Sequence, residues 1–124
     1  MKIEKVVRDK KKYLALLMLA DEQESMIDRY LERGTMYLLR DGTVRAECVV
    51  TDEGGGILEL KNIAVVPGFQ RKGYGKALIE FLVRTYAERY TAVSYTHLDV
   101  YKRQLADIPN HDSFSFYIWA ADRI

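Results

Sequence analysis

Two hydrophobic periods alternate along the chain. Residues 3–7 mix apolar and polar positions in a way that predicts a short first strand. Leu14, Leu17 and Met18 then recur at helical spacing, followed by Met26, Ile27, Tyr30 and Leu31, with the acidic stretch Asp21, Glu22, Gln23, Glu24 between the two groups. This predicts two helices, or one bent helix, ending at Gly34, a residue suited to the C′ position. Residues 35–40 are strand-like, Asp41 and Gly42 give a two-residue turn signal, and residues 43–51 form the return strand. Glu53, Gly54, Gly55 and Gly56 make a second turn, and residues 57–66 form a third, strongly apolar strand. The three consecutive strands predict an antiparallel meander. Pro67 and Gly68 end it, and from Lys76 the period becomes helical again, with Leu78, Phe81, Leu82 and Tyr86 on one face and an end near Tyr90.

Size and composition narrow the classes of function. The chain has 124 residues, of which 48% are apolar, enough for one domain with its own core. Lys and Arg number 19 against 18 Asp and Glu, so bulk charge does not point to nucleic acid. No apolar run reaches the length of a membrane span, and residues 1–12 lack the apolar core of a signal peptide. Cys48 is the single cysteine; it is read as a buried strand residue, which leaves no disulfide framework and makes a cytoplasmic setting the default. His111 reads as a surface loop residue, and no cluster suggests a metal site or a nucleophile–base pair.

The chemistry is concentrated between the third strand and the last helix. Gln70, Arg71, Lys72, Gly73, Tyr74 and Gly75 form a basic, glycine-containing loop that opens a helix. Glycines let the backbone approach an anion closely. The first N–H groups of the helix have no intrahelical partner, and its dipole adds roughly 0.3–1 kcal/mol for an exposed anion. Arg71, Lys72 and Lys76 add full charges. A P-loop needs Lys where Tyr74 stands, and a dinucleotide fingerprint needs a third glycine where Leu78 stands, so neither of those phosphate sites fits.

The hexapeptide 70–75 resembles the Gln/Arg-x-x-Gly-x-Gly/Ala motif of the GCN5-related N-acetyltransferases (GNAT), and residues 60–67 are similar to the strand that precedes it in that family. The resemblance covers about residues 1–92. It implies an α+β fold, with a mixed, mainly antiparallel sheet flanked by helices, and an acetyl group passed from acetyl-CoA to the amine of a small molecule or protein. By the resemblance, the backbone of Gln70, Arg71, Lys72, Gly73, Tyr74 and Gly75, with Lys76, holds the CoA pyrophosphate. The backbone of Ile63, Ala64 and Val65 pairs with the pantetheine arm. Glu59 matches the position of the catalytic glutamate of histone-type members and is the candidate general base, and Asn62 marks a bulge that would re-aim it. Tyr117, in a Phe-Tyr pair preceded by Asn110 and Ser113, resembles the family's general acid; the family's following Gly-Phe is replaced here by Ala121 and Asp122. Residues 21–34 would border the acceptor pocket, where acidic side chains would favour a cationic amine. No metal, nucleic acid or membrane partner is implied, and exposed sheet edges leave room for a homodimer. The alternative readings are a CoA-binding module without catalysis and an inactive, truncated or chimeric fragment.

Residues 93–104, VSYTHLDVYKRQ, stand where the family's fifth strand is expected, yet they show neither strand alternation nor a helical face. With the last bases of an Ala92 codon, they can be back-translated into a perfect inverted repeat similar to two transposon mosaic ends of a sequencing library joined back to back. The segment is therefore read as an artefactual insert, which also removes His97 as a ligand. The repeat is not a multiple of three bases, so residues 105–124, and Tyr117 with them, are expected to be an uncertain C-terminal remnant and the family's last strands incomplete.

Overall fold

A computed structural model describes residues 1–90 and the backbone of residues 92–94. Five strands form one sheet in the order β1-β2-β3-β4-β5: Lys2–Val6, Thr35–Asp41, Thr43–Asp52, Ile57–Val65 and Ala92–Ser94. The first four pair antiparallel, and β5 runs parallel to β4. The expected mixed, mainly antiparallel sheet is therefore present, and the meander predicted from residues 35–66 is β2-β3-β4.

Side-chain alternation along these strands loads both faces. Tyr37, Leu39, Ala46, Cys48, Val50, Leu58, Leu60, Ile63 and Val65 point to one face, where Leu78, Ile79, Leu82 and Tyr86 of α3 (Tyr74–Tyr86) cover them. Met36, Leu38 and Val49 point to the other, under Leu17 of α1 (Leu14–Leu17), Ile27 of α2 (Glu24–Asp28), and Tyr30 and Leu31 just beyond it. On the α3 side the two phenols of Tyr37 and Tyr86 share a hydrogen bond of 2.5 Å across the buried layer.

The helices differ from the sequence expectation in length. The predicted first pair is a 3-10 turn, Lys10–Tyr13, followed by two helices of four and five residues. Helices this short draw their stability from the core beneath them rather than from propensity. Gly34 is not a left-handed C′ residue; it is absent from the residues with positive φ. Its N–H closes the last turn on the Tyr30 carbonyl at 2.9 Å. A Cβ there would stand 2.8 Å from both the Tyr30 carbonyl oxygen and Val49 Cγ1, so the requirement is for space against the sheet. Helix α3 ends at Tyr86 rather than near Tyr90, and Arg89 and Tyr90 continue as a turn that donates both N–H groups to the Tyr86 carbonyl.

Among the described residues no helix is long and apolar enough to cross a membrane. Val93 and Ser94 fall in β5; residues 95–124, including His97, Asn110, His111, Ser113 and Tyr117, lie outside the described residues.

Candidate functional site

Strand β4 is the axis of the site, and one of its ends leads straight into the basic loop. After Val65 the chain is turned by Val66, whose N–H bonds the Arg45 carbonyl at 2.8 Å, and by Phe69, whose N–H bonds the Val66 carbonyl at 3.0 Å. Gly68, Arg71 and Gly73 all have positive φ, at 93°, 63° and 88°. Arg71 is unusual, since a side chain there costs roughly 1–2 kcal/mol relative to the right-handed region. Left-handed residues interspersed with ordinary ones curl successive N–H groups toward a common point, a concavity suited to an anion. Gly73 is the N-cap of α3, so the free N–H groups of the first turn add to that concavity.

The side chains around the loop keep it in place and positively charged. Gln70, Arg71, Lys72 and Lys76 are exposed, and among the described residues Arg71, Lys72 and Lys76 make no ion pair. Gly75 is buried at the start of the helix. Tyr74 donates its hydroxyl to Asp41 at 2.8 Å, a bond that holds its phenol proton on more tightly than usual. The Phe69 ring lies against the Arg45 guanidinium at 3.7 Å, with the Lys72 ammonium at 5.6 Å. The loop is thus tied to the β2–β3 turn, while its free cations face outward.

The middle of β4 has a different character. The register with β3 slips between Val49 and Val50: Asn62 faces Val49, Leu60 faces Val50, and Lys61 is the extra residue. The expected bulge is present, and it turns Lys61 and Asn62 together toward the α1–α2 side. Asn62 Nδ2 donates to the Leu17 carbonyl at 2.9 Å and to the Tyr30 hydroxyl at 3.0 Å, tethering the C-terminus of α1 and the turn after α2 to the strand. The described pairing of β4 with β5 covers Ile57, Leu58 and Glu59.

Glu59 is 4% exposed and bonded to Lys61 Nζ at 2.7 Å. Lys61 also reaches Glu53 at 3.5 Å, and Glu53 is bound by Arg33 at 2.9 Å and by the Thr51 hydroxyl at 3.0 Å. The Arg33 hydrogen bond, above all, lowers the Glu53 carboxyl to about 2. Any base chemistry by Glu59 therefore starts from within a four-charge cluster.

The sequence reading overlooked Glu47. It is fully buried on β3, opposite Ala64, and among the described residues neither carboxyl oxygen has a hydrogen-bond partner; burial pushes its carboxyl well above the usual range. A lone glutamate inside the run Ala46, Cys48, Val49, Val50 was the available signal. Cys48 is buried as expected, and burial raises its thiol, which suits a core residue rather than a nucleophile.

Over the bulge lies a concavity of about 160 Å³ lined by Asp21, Met26, Arg29, Tyr30, Arg33 and Lys61. It lies in the region expected to border the acceptor, but its lining differs from the expectation. Glu24 and Asp28 turn away to Lys11, at 3.5 and 2.6 Å, and Glu22 is exposed. Among the described acidic residues only Asp21 lines the concavity, beside three cations.

A family model described as an acetyltransferase (GNAT) domain matches residues 32–114, more than half of the chain. The chain belongs to the GNAT acetyltransferase family. YvbK, an uncharacterized N-acetyltransferase of Bacillus subtilis, is 40% identical over 65 residues, which are 52% of this chain and 42% of that protein. A B. subtilis acetyltransferase solved in complex with CoA is 31% identical with a TM-score of 0.65, over 70% of this chain and 58% of its own. A GNAT family acetyltransferase from Elizabethkingia anophelis with acetyl-CoA bound is 26% identical with a TM-score of 0.69, over 83% and 73%. The chain thus spans less than two thirds of the first two of these relatives.

Proposed function

We propose that this GNAT domain transfers the acetyl group of acetyl-CoA to an amine by direct attack. The observation that carries the reading is the loop in which left-handed Arg71 and Gly73 lead from the end of β4 into α3, with three cations around them that make no ion pair among the described residues. Backbone N–H groups of residues 70–75 and the Lys76 ammonium suit a pyrophosphate. By the family resemblance, the backbone of Ile63, Ala64 and Val65 on β4 suits a pantetheine arm added like a strand. The relatives solved with CoA and acetyl-CoA support the same ligand.

When bound, acetyl-CoA supplies a thioester carbonyl activated toward nucleophiles. The amine nitrogen bonds to that carbonyl carbon, the carbon–sulfur bond breaks, CoA leaves as thiolate, and one proton passes from nitrogen to a base. In this reading Glu59 takes the proton, exchanging its bond to Lys61 for one to the amine. Tyr117, outside the described residues, is proposed as the donor to the thiolate. The test is release of CoA thiol across a panel of small amines and peptide N-termini, run beside the thermal shift caused by acetyl-CoA. Glu59→Gln is expected to lower kcat by about 10²–10⁴-fold with little change in KM for acetyl-CoA.

The ion pair that already occupies Glu59 favours a second reading, a domain that binds CoA without turning it over. A thermal shift with no thiol release on any amine selects it; no shift and no release sinks both. For residues 93–104, reading the source gene from flanking primers without a transposon step is the deciding observation: loss of the segment supports the insert, and its retention assigns Val93 and Ser94 of β5 to the native chain.

A further inference from the structure

We propose that the concavity over the β4 bulge selects acceptor amines that carry a carboxylate. The carboxylate is seated by Arg29 and Arg33, and the amine is directed to the bulge at Lys61. The inference rests on the acetyl-transfer reading and specifies its acceptor.

The charges are arranged asymmetrically. Arg29, Arg33 and Lys61 line the concavity, whereas Glu53 and Glu59, which neutralise two of them, are not part of its lining. A bound group therefore meets the cations before the carboxylates behind them. Asp21, the one acidic lining residue, already accepts the Tyr30 hydroxyl at 3.3 Å and the Gln23 N–H at 3.4 Å. Lys61 forms a built floor, since its side chain is only 6% exposed and is fixed by two carboxylates.

Donors remain for an anion. Among the described residues Arg29 makes no ion pair, and its guanidinium meets only Met26 Sδ, at 3.7 Å. Arg33 commits Nη1 to Glu53, which leaves Nε and Nη2 of its five N–H fork. The two arginines stand four residues apart on the turn that continues α2 and line the same hollow. A carboxylate is a small anion whose planar geometry matches a guanidinium fork. A compact polyamine would bring further positive charge against all three cations.

The first test is equilibrium binding of N-acetylglycine and of its neutral amide, N-acetylglycinamide, to the full chain by calorimetry without CoA. We expect the carboxylate to bind at least about tenfold tighter, with the gap narrowing as salt rises. Arg29→Glu, at an exposed side chain outside the Glu53 cluster, should remove the preference, and Arg29→Lys should keep part of it. The second test is kcat/KM for glycine against glycinamide, where Arg29→Glu should cut the ratio by about the same factor. Equal binding of the two probes overturns the proposal, as does a preference that Arg29→Glu leaves intact. An Arg29-sensitive preference without thiol release on any amine keeps the carboxylate site and overturns acetyl transfer instead.

Discussion

The two sides of β4 present their polar groups in opposite ways. At its C-terminal end the loop 70–76 is one contiguous stretch. In the acetyl-transfer reading its backbone does the binding, and among the described residues its cations Arg71, Lys72 and Lys76 make no ion pair. Across the bulge, the concavity is assembled from the turns around α2 and one residue of β4, and its charged groups are tied to each other. A backbone site depends on a few dihedral angles fixed locally by glycine; a side-chain site depends on the tertiary placement of short helices. The first should tolerate changes in the core and fail on local substitutions, and the second should do the reverse.

The largest effect is expected at the loop. Gly73 holds φ at 88° as the N-cap of α3, and a β-branched residue is poorly accommodated there. Gly73→Val combined with Lys76→Glu should abolish the thermal shift caused by acetyl-CoA while leaving the far-ultraviolet circular dichroism unchanged. At ligand one hundred times above Kd the intact site should add about 2.7 kcal/mol, several degrees in Tm for a domain of this size. A double variant that still shifts would remove the loop from cofactor binding.

Next in size is Gly34→Ala, which strikes the other side. The new methyl would meet Val49 and the Tyr30 carbonyl at 2.8 Å, forcing the turn after α2 away from the sheet. A loss of about 1–3 kcal/mol in urea unfolding is expected, together with weaker binding of N-acetylglycine. The acetyl-CoA shift should persist in any molecules that remain folded. If both ligands are lost together while the fold survives, the two sides are coupled rather than independent.

That contrast also explains what could be read from the sequence. The meander, α3 and the loop follow from local patterns: Asp41 with Gly42 at a turn, alternating apolar residues, and a glycine-rich basic hexapeptide before a helical period. The bulge was signalled by Asn62 within an apolar run, but its extra residue, Lys61, was not, because register is set by the partner strand. The lengths of α1 and α2 were illegible for the same kind of reason, since packing on Met36, Leu38 and Val49 holds them. The acidic residues of the segment 21–34 suggested a cationic acceptor, yet sequence spacing alone did not show that Glu24 turns to Lys11 or that Lys61 rises from the sheet to join Arg29 and Arg33.

Glu47 offers a smaller effect that sharpens the picture of the α1–α2 side. Its folded carboxyl titrates well above the unfolded value, so the folded state binds the extra proton. Stability should therefore fall as pH rises from the unfolded value near about 4.3 toward the folded one, and Glu47→Gln should flatten that slope. We expect the variant to be more stable than the parent by about 1–2 kcal/mol at pH 8 and nearly equal to it at pH 4. A parallel pH dependence in the two proteins would mean that Glu47 finds a partner when the domain is in solution.

The smallest effect belongs to Glu53, and its sign is opposite. Arg33, Thr51 and Lys61 hold its folded carboxyl at about 2, below the unfolded value, so its contribution is complete above about pH 4.5 and is lost as pH falls toward 2. The group is partly solvated, and screening reduces the contribution to about 1 kcal/mol. Glu53→Gln should therefore lower stability at pH 7 and leave it unchanged at pH 2. It also releases Arg33 and one contact of Lys61, which raises the positive charge facing the concavity. If that concavity reads carboxylates, N-acetylglycine should bind the variant more tightly at pH 7, even though the protein is less stable. Weaker binding would mean that Glu53 serves chiefly to orient Arg33, and that its position matters more to the site than its charge.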